Sequence, residues 1–86
     1  RNPGVFSILT STTDDRDIRE ITLHNQQLVG RSLHTLALPG DVLVLSIRRE
    51  DDFIIPHGNV QVEYHDRLTV LGCPEELEQV AAALRN

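Results

Sequence analysis

The sequence predicts an α+β domain built in the order strand, helix, three strands, helix. Three observations carry this. Ile21 and Leu23 alternate with Glu20, Thr22 and His24, the period-two pattern of a strand with one buried face. Val42 to Ile47 is apolar on both faces except at Ser46, as in a central strand covered from both sides. Leu77, Val80, Ala81 and Leu84 recur at i, i+3, i+4 and i+7, one stripe of an amphipathic helix.

Taken in order, residues 1–16 differ in texture from the rest and are expected to be a linker segment. Val5, Ile8 and Leu9 make a short helix-compatible stripe behind Pro3, followed by the polar run Thr10 to Arg16. That stripe has no partner within its own segment, so a second copy or a further domain is expected to cover it. Residues 17–86 form the domain proper. Its first strand runs from Asp17 to His24. Val29, Leu33 and Leu36 then predict a helix within 28–38, confined to about two turns by Gly30 and Pro39-Gly40. After the central strand, Arg48 to Asp52 reads as a charged hairpin turn and Phe53-Ile54-Ile55 as the returning strand, stopped by Pro56. His57-Gly58-Asn59 is a second turn. Val60, Val62 and Tyr64 alternate, and Leu68 to Leu71 is a further strand ending at Gly72. The closing helix spans Pro74 to Arg85, with Pro74 at the first helical position and Cys73 as its cap.

Composition narrows the function classes. The chain has 86 residues, one domain's worth, and a single cysteine, which excludes an internal disulfide. Its net charge is −5, which argues against nucleic acid as a partner, since such binders present a basic face to phosphates. No apolar run reaches the roughly 18–20 residues that span a bilayer. There is no Met, so the chain is expected to be a piece of a longer protein, and all eight basic residues are Arg.

No enzyme emerges from the spacing. Cys73 at a helix start lacks a neighbouring base, so no catalytic residue is assigned. His57 and His65, with Asn59, Glu63 and Asp66 nearby, do not form a dense ligand motif, and no metal site is assigned. The scattered glycines build neither a dinucleotide fingerprint nor a P-loop. The most suggestive feature is Arg48-Arg49, the one adjacent arginine pair, across a hairpin from Ile54, Ile55, Pro56, His57 and Asn59. In an acidic chain, binding a phosphate requires such a local concentration of guanidinium groups. These seven residues are therefore the candidate ligand site. Strand alternation allows only one of Ile54 and Ile55 to face a ligand.

Four stretches in order carry a resemblance: Leu28 to Leu33, Leu38 to Arg49, Ile54 to Asn59, and Asp66 to Gly72. Together they resemble the C-terminal subdomain of the regulators of potassium conductance (RCK), the TrkA-C domain. The resemblance implies a small mixed β-sheet with flanking helices, a homodimer, and a regulatory role without catalysis. It places the domain at the cytoplasmic side of the cell membrane, in potassium or other monovalent-cation transporters, channels or cation/proton antiporters. A membrane transport domain is then a partner, with a Rossmann-like nucleotide-binding subdomain joined through a crossover helix to which residues 1–16 correspond. It implies no cofactor in the domain itself beyond a small anionic regulatory ligand such as cyclic di-AMP. The alternative is a structural dimerisation domain without ligand. The chain departs from the family at His65, where Gly is usual, and at Asn59, where Asp is usual.

Overall fold

A computed structural model describes residues 15–86, so the stripe expected over residues 5–9 lies outside the described residues. Four strands form one sheet: β1 (Asp17–Thr22), β2 (Leu43–Arg49), β3 (Asp52–Ile54) and β4 (Arg67–Gly72), in the spatial order β1-β4-β2-β3. The one α-helix among the described residues, α1 (Pro74–Arg85), packs on β1 and β4. All three pairings are antiparallel, where the family resemblance implied a mixed sheet. The reason is connectivity. The long connection from β1 brings β2 back in the same direction as β1, but β4 lies between the two and runs opposite to both, so no parallel pair forms.

The helix side of the sheet is the core. Ile21, Ile47, Leu68 and Val70 from the strands meet Leu77, Val80, Ala81 and Leu84 of α1, all buried. The 77/80/81/84 spacing is therefore the buried face that it predicts. The chain leaving β1 closes the far end of the helix. His24 and Asn25 N–H groups donate to the Leu84 carbonyl at 2.8 and 2.9 Å, and Asn25 Nδ2 donates to the Ala83 carbonyl at 2.9 Å. These bonds satisfy carbonyls that a helix end leaves orphaned.

The segment expected to be helical is instead two 3-10 turns, Gln26–Leu28 and Leu33–Thr35. Gly30 at φ +90 breaks any helix between them. The amides also have better partners across the chain: Gly30 N–H donates to the Val62 carbonyl at 2.8 Å, Leu33 to Val60 at 2.9 Å and His34 to Gly58 at 2.8 Å. The same bonds occupy Val60–Val62, which meets its neighbour through one bridge, Ser32 to Gln61, and adds no strand. Apolar spacing recorded that Leu33 and Leu36 are inside, and that much holds: Leu36 is buried and Leu33 packs on the core.

At the start of α1, the Glu76 carboxylate accepts from Asp41 N–H at 3.0 Å and from Cys73 N–H at 3.3 Å. The Asp41 bond first, and the Cys73 contacts after it, hold the Glu76 pKa below its ordinary 4.5. A depressed carboxylate stabilises the fold above its unfolded pKa, and that contribution disappears as pH falls through the folded value. Denaturation midpoints followed from about pH 6 to about pH 3 should therefore fall, and Glu76→Gln should flatten part of the fall.

Candidate ligand site

Two loops face each other at the β3 end of the domain. The 55–60 loop turns at His57 to Asn59, closed by Val60 N–H donating to the His57 carbonyl at 3.0 Å. The bonds from Leu33 and His34 to Val60 and Gly58 stitch it to the 3-10 segment. Two clefts of about 380 Å³ open where they meet. One has the aliphatic side chains of Leu33, Leu36, Val42 and Pro56 in its wall beside polar groups, and the other is lined by Ser32, His34, Gly58 and Asn59. His34 borders both. Ala37, at φ +53, stands at the lip of the first in a conformation that an L-residue adopts at a cost.

The structure divides the seven candidate residues. Pro56 and Asn59 line the clefts, and His57 is exposed on the turn between them. Ile54 lies opposite Ile47 and packs on the core, whereas Ile55 is more than half exposed. Arg48 and Arg49 point to opposite faces of β2 and cannot act as one clamp. Arg49 is already engaged: its Nε and Nη2 donate to the Asp66 carboxylate at 2.9 and 2.8 Å, and Nη2 also donates to the Gln61 carbonyl at 2.9 Å. Glu63 approaches the same guanidinium at 3.3 Å. Asp66 is buried and further accepts from Glu63 N–H at 2.8 Å. The Asp66 hydrogen bond above all raises the Arg49 pKa, so the guanidinium stays charged at every physiological pH. Arg49 thus braces the 61–66 connection to β2.

Sequence reading missed His34, Ser32 and the Arg49–Asp66 pair. A histidine inside an apparent helix carries no sign that its backbone bonds to a distant turn. Nor does an Asp before a strand reveal which of two adjacent arginines it will bury.

Asp66 N–H donates to the Glu63 carbonyl at 3.0 Å, and His65 sits at φ +72 in that turn. This is the third position of a type II turn, which favours Gly. The His65 ring stacks on Tyr64 at 4.0 Å and meets His24 edge-on at 5.2 Å, contacts that offset part of the strain. Because both variants delete the ring, His65→Gly should be more stable than His65→Ala by about 1 kcal/mol. Paired thermal melts should show that difference as about 4–8 °C.

Cys73 is not poised for attack. The bond from the Glu76 backbone favours its thiolate, but the Glu76 carboxylate, burial and the first-turn charges outweigh it, and its pKa is raised. Among the described residues, no three His, Cys, Asp or Glu side chains converge as a metal site.

Comparison with known proteins decides the family. The TrkA-C domain model matches residues 18–85. The chain belongs to the TrkA-C domain family. It is 36% identical over 66 residues to a Trk system potassium uptake protein TrkA homolog of Archaeoglobus fulgidus, covering 77% of this chain and 15% of that protein. It is 36% identical over 70 residues to the putative Na(+)/H(+) antiporter YjbQ of Bacillus subtilis, covering 81% of this chain and 11% of the antiporter. The TrkA-C chain described here therefore spans a small fraction of these relatives. Among solved structures, an RCK domain with cda superposes at TM-score 0.75 and 31% identity, covering 78% of this chain and 96% of that one. The KtrA RCK C domain in complex with cyclic di-AMP also superposes at 0.75, at 21% identity, covering 95% and 99%. The four-stranded sheet with its C-terminal helix is thus the RCK C-domain fold, and the resemblance read from four short stretches holds across the domain.

Proposed function

We propose that this TrkA-C domain is the ligand-sensing, dimerising regulatory module of a potassium or other monovalent-cation transporter, channel or cation/proton antiporter. It works at the cytoplasmic side of the membrane and without catalysis. The two clefts around His34 support this reading most. They place an apolar wall with Pro56 beside polar groups on His34 and Asn59, the mixed lining that a small ligand with flat and polar parts requires. The solved RCK domain with cda is 31% identical to this chain, and cyclic di-AMP is the ligand we assign to this region.

Pro56, His57 and Asn59 are the residues of the candidate set that we assign to ligand contact, with Ile55 at their border. Arg49 positions the loop from behind. Residues 1–16 form the connection to the rest of the protein, and residues 17–86 the module itself. Two copies bind one two-fold ligand between them, and the ligand biases the transporter only through its different affinity for two arrangements of the pair. A Rossmann-like subdomain and a membrane transport domain complete the assembly. Among the described residues no helix is long and apolar enough to cross a membrane.

A thermal-shift panel of cyclic di-AMP, NAD and divalent cations tests this. At 100-fold excess over its dissociation constant, a fold-selective ligand adds about 2.7 kcal/mol, a shift on the order of 10 °C for a domain this size. Cyclic di-AMP should give that shift, and Asn59→Ala should reduce it. No shift with any compound, in a chain that still dimerises, would establish the ligand-free structural role instead.

A further inference from the structure

The sheet face opposite α1 carries a second arrangement, separate from the clefts. Residues paired across antiparallel strands share a face. Leu68 and Val70 are buried against the helix, so Arg67, Thr69 and Leu71 of β4 face the other way. Their partners join them: Arg48 lies opposite Arg67, Ser46 opposite Thr69, and Phe53 of β3 opposite Arg48. One row of this open face therefore reads Arg67, Arg48, Phe53, with the hydroxyls of Thr69 and Ser46 in the next row.

Like charges directly opposite each other on a sheet are destabilising. Here neither arginine has a carboxylate partner among the described residues. Arg67 Nη2 donates to the Glu50 carbonyl at 3.1 Å, which fixes one guanidinium at the β2–β3 turn. Arg48 is exposed, and Phe53 is 64% exposed beside it. The one carboxylate that strand alternation places on this face, Glu20, pairs with Thr69 on the far side of β4 from Arg48. The adjoining turn carries Glu50, Asp51 and Asp52, yet among the described residues none of their carboxylates pairs with either arginine, and two guanidinium forks match the oxygens of a phosphate.

We propose that Arg48 and Arg67, with Phe53, bind a phosphate ester that carries a flat ring, the phosphate between the guanidinium groups and the ring on Phe53. Neither cleft is lined by Arg48 or Arg67, so this site is distinct from the one assigned to cyclic di-AMP. It can succeed or fail independently.

The test uses the full chain with AMP, inorganic phosphate and adenosine, followed by heteronuclear NMR titration. AMP should bind more tightly than phosphate, and adenosine least. Arg48→Gln and Arg67→Gln should each weaken AMP at least tenfold, and Phe53→Ala should weaken AMP but leave phosphate unchanged. Without ligand, Arg48→Gln should melt no lower than the parent, because it removes a repulsion without breaking the bond from Arg67 to Glu50. Vesicles of phosphatidylglycerol, compared with phosphatidylcholine, distinguish the source: arginine-dependent binding to the anionic vesicles without AMP binding would make a lipid headgroup the natural ligand of the same site. Absence of AMP and phosphate binding at about 1 mM, together with vesicle binding unaffected by either substitution, would overturn the proposal.

Discussion

Replacing Asp66 with alanine should cost about 3–5 kcal/mol, enough to unfold much of the population of a small domain at 37 °C. Among the described residues Asp66 is the one charged residue in the core, 1% exposed, and three donors converge on its carboxylate: two from Arg49 and the N–H of Glu63. Alanine strips all three at once. It leaves the half-buried Arg49 guanidinium with the exposed Glu63 as its remaining carboxylate contact. Removing one partner of a buried pair is more damaging than removing both, because the surviving charge stays desolvated. The double variant Arg49→Met, Asp66→Leu should therefore recover a substantial part of the loss. Urea denaturation of the three variants checks this. If Asp66→Ala lowered stability by under 1 kcal/mol, Arg49 would not be braced as described.

The next largest effect is expected at Leu68. It lies on β4, the strand between β1 and β2, directly opposite Ile21 on one side and Ile47 on the other, and it is fully buried. Leu68→Ala removes the centre of the layer facing α1 and should cost about 2–5 kcal/mol, set by how far its neighbours close the cavity. Phe53→Ala deletes a larger side chain that is mostly exposed, and should stay within about 0.5 kcal/mol of the parent. Thermal melts of the two variants compare buried and open faces of the same sheet. Equal losses would mean that the open face is covered in solution.

Much of the fold was legible because its signals were local. Pro74, the acidic first turn and the 77/80/81/84 stripe define α1 without reference to anything else in the chain. Alternation at Ile21 and Leu23 places their side chains inside, although the ladder itself ends at Thr22. The segment from Leu28 to Leu38 was misread because apolar spacing reports burial, not hydrogen bonding. Its amides pair with residues some thirty positions away, and no local pattern encodes that. The candidate site was half legible for a related reason. Pro56 and Asn59 sit on a turn that sequence marks clearly, and both face clefts. Adjacency of Arg48 and Arg49 suggested a clamp, yet a strand sends neighbours to opposite faces. The two arginines consequently have different work, one bracing Asp66 and the other standing on the open sheet with Arg67.

The central claim is that this TrkA-C domain senses a small ligand at a two-fold interface. Calorimetric titration of the full chain with cyclic di-AMP, alongside light scattering, tests it most directly. The account predicts saturation at a dissociation constant of about 1–10 micromolar, one ligand for two chains, a dimer in solution, and weaker binding after Asn59→Ala. A monomer at every concentration, with no heat of binding by about 1 mM ligand, would contradict it.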